Sequence, residues 1–92
     1  MTIFEEIAIR MIKEQELIIG PLAWIEAAKV SGLKVHEQGV ISIESPNKQQ
    51  TIDNLVAKYE RLFGKASHEV CKHAVLGLIA GLQASEIPSS LQ

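Results

Sequence analysis

His68, Cys71 and His73 fall within six positions of one another, in the pattern H-x-x-C-x-H. Imidazole and thiolate are good ligands for zinc and other transition metals. The spacing works against a shared ion. His68 and Cys71 can lie on one helical face, but at about 100° per residue His73 is turned about 140° from His68. Cys71 also falls on an apolar face, where a free cysteine behaves as a small hydrophobe. The three are read first as structural residues and second as a metal set, and no cofactor is expected. Cys71 with a histidine is also the minimal pair for nucleophilic catalysis. A buried thiol is inert, however, and the flanking residues match no cysteine-hydrolase signature. The carboxylates of Glu5 and Glu6 stand at the start of a helix, where they favour its dipole. No catalytic residue is assigned, and the chain is not read as an enzyme.

Three further groups are candidates for binding. Lys58, Arg61, Lys65 and Lys72 gather around one turn. They suit an acidic partner, although such a run is usually a solvated face. Trp24, the single tryptophan, lies on a short apolar helix and reads as core. Gly77 and Gly81 are one helical turn apart in AVLGLIAGLQA. Each costs up to about 1 kcal/mol of helix propensity relative to alanine. Close approach of another helix, within the chain or across a dimer, would offset that cost.

These residues sit on elements that the hydrophobic period defines. The organising stretch is Thr51 to Leu82, two helices joined by a turn at Gly64. Ile52, Leu55, Val56, Tyr59, Leu62 and Phe63 follow three-four spacing. Leu55 and Leu62 are expected to be deeply buried. Ser67 is expected to cap the second helix. That helix presents Val70, Cys71, Ala74, Val75, Leu78, Ile79 and Leu82 on one face.

Upstream, Thr2 and Glu5 form a T-x-x-E capping box that starts a helix at Ile3. Gly20-Pro21 interrupts it, and a second helix restarts with Pro21 at its first position and runs to Val30. The period then changes to two. Leu33 and Val35 alternate with Lys34 and His36, Gln38-Gly39 turns, and Ile41 and Ile43 alternate with Ser42 and Glu44: a β-hairpin. Ser45 as cap and Pro46 at the first position start the organising helix. After Leu82 the pattern fades, so residues 1–84 form one domain and 85–92 a frayed tail. The expected fold is α+β, four helical segments with one central antiparallel hairpin, in the order α-α-β-β-α-α.

Composition narrows the function classes. The 92 residues are 47% hydrophobic, enough for one packed core, but a chain this short is marginal alone. A formal charge of -2 counts against broad binding to nucleic acid, which relies on many phosphate contacts. One cysteine forms no internal disulfide and suits a reducing, cytoplasmic setting. No secretory leader pattern stands at MTIFEEIAIR. No apolar run reaches the roughly 20 residues that span a bilayer, so no membrane partner is expected.

The segment LIIGPLA, Leu17 to Ala23, resembles the I-G-P-[IL]-A segment of a small helical domain of unknown function. That domain is appended to bacterial signalling proteins such as kinases and response regulators. Leu55 to Val75, with its Y-x-x-L-F-G-x-A core, is similar in flavour. The resemblance implies an interaction module without catalytic residues, and a signalling protein as partner. The first expectation is therefore a non-catalytic interaction or regulatory module acting as a homodimer. Its interface is expected at Gly77 and Gly81 or at Val40 and Ser42 on the unpaired hairpin edge. The alternative is a small-ligand or metal-binding protein using His68, Cys71 and His73 or a pocket near Trp24. A winged-helix-like nucleic-acid binder comes third.

Overall fold

A computed structural model describes residues 2–37 and 39–92. It holds α1 (Ile3–Ile19), α2 (Leu22–Ala27), β1 (Leu33–Glu37), β2 (Val40–Ile43), α3 (Lys48–Phe63), α4 (Lys65–Ala74) and α5 (Leu76–Ile79). Two 3-10 turns follow, at Ala84–Glu86 and Ser89–Leu91. The architecture is α+β, helices on either side of a two-stranded antiparallel hairpin in the chain. No helix among the described residues is long and apolar enough to cross a membrane.

Helix α1 starts where the capping box places it. The Thr2 N–H donates to Glu5 Oε2 at 2.6 Å, and the Thr2 hydroxyl donates to the same oxygen. Burial pushes the Glu5 carboxyl upward, but the Thr2 donors and the Lys48 ammonium outweigh it and hold it below its usual value. Lys48 Nζ lies 3.5 Å from Glu5 Oε1, so the start of α1 stands beside the start of α3. Gly20, at φ 68°, ends α1, and Pro21 has helical dihedrals and leads into α2. α2 stops at Ala27, short of Val30, although Val30 is still buried.

The hairpin pairs Leu33 with Ile43 and Val35 with Ile41. Leu33, Ile41 and Ile43 face inward, as strict alternation requires. The register shifts between Val35 and Glu37, which leaves His36 as the extra residue of a bulge. Gly39 has a φ of 86°; Gln38, the other expected turn residue, lies outside the described residues. Gly32 leads into β1 at φ 87°, and its carbonyl accepts from the Glu44 N–H at 2.8 Å.

The organising pair departs from expectation at four points. Asn47, not Ser45, caps α3: its side chain accepts from the Gln50 N–H at 3.0 Å, and Lys48 is the first helical residue. Gly64, at φ 91°, is both the last cap of α3 and the first of α4, so Ser67 lies inside α4 and is buried there. Leu55 is 1% exposed, but Leu62 is 45% exposed, because α3 outruns the elements packed against it. The second helix breaks at Val75 (φ -115°, ψ 7°), giving α4 and a single-turn α5 that holds Gly77.

The C-terminal segment also needs correction. Residues 85–92 do not trail free; they fold back onto α3 and α4. The Asp53 carboxylate accepts from the Ser90 N–H (2.9 Å), the Ser90 hydroxyl (2.5 Å) and the Ser89 hydroxyl (3.0 Å). Gln49 Nε2 donates to the Ser85 carbonyl at 2.9 Å. Pro88 and Leu91 are buried beneath this polar strap. The domain therefore extends past residue 84, closed by charge-assisted bonds to a residue 36 positions or more away.

Candidate functional site

The three metal-ligand candidates enter three different environments. His68 Nε2 donates to the Ser90 carbonyl at 2.6 Å, and Nδ1 lies 3.1 Å from Glu60 Oε2, an ion pair when the ring is protonated. It is a strut between α3, α4 and the C-terminal segment. Cys71 is fully buried. His73 is exposed beside a shallow hollow with Glu14 and Glu69. Among the described residues, no group of three or more His, Cys, Asp or Glu is placed to hold a metal ion.

Cys71 belongs to a polar seam inside the core. Gln15, with no exposed surface, donates Nε2 to the Ser67 carbonyl at 2.9 Å and reaches Cys71 Sγ at 3.5 Å. Tyr59 donates its hydroxyl to the Ala23 carbonyl at 2.7 Å, pinning α2 on α3. Gln15 Oε1 and Trp24 Nε1 are buried with no partner among the described residues. Burial pushes the Cys71 thiol from 9.0 up to about 11, against a smaller opposite effect of the Gln15 amide. The Tyr59 phenol is raised as well, by burial first and then by the charges of Cys71 and Glu26. A thiol held protonated in this way is a poor nucleophile.

This seam sets a pH dependence. The folded state keeps the Cys71 proton to higher pH than the unfolded chain does. Its contribution is thus whole below about pH 9 and is lost as pH rises toward 11. Two pH units correspond to roughly 3 kcal/mol. Chemical denaturation at pH 8 and pH 10.5 is expected to show a larger loss in the wild type than in Cys71→Ala. Equal losses would mean that the thiol is solvated in the folded state.

The other candidates are dispersed. Lys58 is held 3.9 Å from Glu26 Oε1, and Glu26 also pairs with Lys29 at 3.0 Å. Trp24 is buried, and no hollow described here is lined by it. Among the described residues Gly77 and Gly81 meet no other element: a Cβ at Gly77 would find nothing within 4 Å, and one at Gly81 only the Leu78 carbonyl at 3.8 Å. Their absence of side chains serves no close approach among the described residues. Val40 is exposed, whereas Ser42 is half-buried and bonds His36 Nε2 at 3.0 Å.

What the surface does present is apolar. Leu17, Ile18, Leu22, Ile25, Leu62 and Leu76 are exposed together with Val40. Helical spacing assigned Leu62 to the core, and the apolar end of α1 carried no assignment to the surface. The signal available was the run Leu17-Ile18-Ile19 ahead of Gly20-Pro21, in which Leu17 adds an apolar residue off the buried stripe. No protein-family model, curated protein or solved structure matches this chain.

Proposed function

We propose that the chain is a non-catalytic interaction module that works as a homodimer in the cytoplasm and docks a signalling protein. One observation carries this reading: the core is closed, yet seven large apolar side chains remain exposed among the described residues. A surface of that kind favours association, since burying it removes apolar area from water. The dispersal of His68, Cys71 and His73 removes the main support for a metal-binding alternative. The resemblance of LIIGPLA to a domain appended to signalling proteins supports the same class, and the single reduced cysteine suits the compartment.

Light scattering across a micromolar concentration range is expected to give a mass that rises from 10.1 kDa toward twice that value. A mass of 10.1 kDa at every concentration would overturn the homodimer.

A further inference from the structure

The backbone of Ser90 is gripped from two sides. Asp53 on α3 accepts from its N–H at 2.9 Å and from its hydroxyl. His68 on α4 donates from Nε2 to its carbonyl at 2.6 Å. The other ring nitrogen, Nδ1, lies 3.1 Å from Glu60 Oε2, on α3 about two turns beyond Asp53. Both nitrogens of one imidazole therefore face oxygens that only accept, a carbonyl and a carboxylate. A neutral ring carries one N–H and can serve one of them. The imidazolium carries two and serves both. Beneath this grip Pro88 and Leu91 are buried, in a turn that packs on both α3 and α4.

We infer that His68 is a pH-sensitive clasp: its protonation tightens residues 83–92 onto α3 and α4, and its deprotonation loosens them. No second copy of the chain is needed for it. Histidine ordinarily changes charge between about pH 5 and 8. On the acid side of that range both bonds are made, and both are charge-assisted. On the alkaline side the ring keeps a single N–H, so either the Ser90 carbonyl or Glu60 faces a bare lone pair. Closing thus takes up a proton, and the hold is full at acid pH and falls as pH rises. The surrounding charges do not cancel this. Lys65 and Lys72, one turn before and after His68 on α4, oppose its charge from the roughly 5–6 Å spacing of such neighbours, whereas Glu60 stands at 3.1 Å. On α3, Lys58 and Arg61 line a hollow beside Val30 and Ser31 instead. From α1, Glu14 meets α4 in the hollow with Glu69 and His73, which at about 100° per residue lies on the opposite side of α4 from His68. Glu86 is turned to the Gln83 N–H, and neither Ser89–Leu91 nor α5 carries a titratable side chain.

Amide hydrogen exchange of the full chain reads the clasp at the Ser90 N–H, as a protection factor corrected for the intrinsic rate at each pH. Between about pH 5.5 and about pH 8 that factor is expected to fall by roughly threefold or more, the change that one hydrogen bond of ordinary net strength supplies. His68→Gln keeps a donor for the Ser90 carbonyl but never carries the charge, and it is expected to flatten the profile. Glu60→Gln is expected to do the same, since its amide can donate to Nδ1 of a neutral ring or accept from a charged one. A level wild-type profile would overturn the clasp. So would a fall that persists in either variant, because His36 and His73 remain in both and would then be its source. Glu60→Gln, at the more exposed of the two positions, decides by itself if His68→Gln does not fold.

Discussion

Replacing Leu55 with alanine lowers the free energy of unfolding by about 2–5 kcal/mol. Leu55 lies at the middle of α3, 1% exposed, within a stripe with Ile52, Val56 and Tyr59 that are equally buried. Removing its isobutyl group loses transfer energy and leaves a cavity that α1 and α4 are packed too firmly to fill. A domain of this length holds only a small total stability, so the variant is expected to be partly unfolded at room temperature. Leu62→Ala on the same stripe is the control, since at 45% exposure it costs far less. Urea titration of the two variants checks the contrast. Equal losses would mean that the end of α3 is covered in solution.

A second large effect is expected at Gly32. Its φ of 87° lies in the left-handed region, where a side chain costs roughly 1–2 kcal/mol. A Cβ there would also stand 2.8 Å from Thr51 Oγ1 and 2.9 Å from Ser45 Cβ. Neither neighbour is the free end of a long side chain, and Thr51 is itself buried. Forcing them apart adds about 1–3 kcal/mol of overpacking. Gly32→Ala is therefore expected to cost about 2–5 kcal/mol. Gly39 separates the two causes, because its φ is 86° and a Cβ would meet nothing within 4 Å. Gly39→Ala should show the backbone strain alone. A Gly32→Ala variant no less stable than Gly39→Ala would show that the joint between hairpin and α3 yields easily.

Local signals were legible in this chain. Thr2 and Glu5 mark the start of α1, Gly20-Pro21 the break before α2, and the alternation Leu33, Val35, Ile41, Ile43 the hairpin. Each depends on residues within a turn or a strand pair of one another. The misreadings share a different origin. Leu62 has the same periodic credentials as Leu55, but period assigns a face and says nothing of where the neighbouring helix ends. Ser85 to Gln92 looks like a frayed tail because its anchor, Asp53, stands on another helix. Ser67 resembles a cap, yet Gly64 already serves, and the hydroxyl residue is carried into the core. Of the candidate site, the cysteine's burial could be read from its apolar neighbours. The exposure of Leu17, Ile18 and Leu62 could not, because it is decided by which neighbouring elements reach them.

The alignment of α1 and α4 depends on one residue. Most inward side chains of α1, Ile7, Ala8, Met11 and Ile12, are apolar, and such a stripe tolerates being moved one turn along its partner. Gln15 does not. Its amide finds the Ser67 carbonyl in one position only, and a shift of a turn would leave that amide dry and unbonded, at a cost of about 1–3 kcal/mol. A single buried amide thus serves as an index mark, selecting one among several nearly equivalent packings and with it how far the last turn of α1 protrudes.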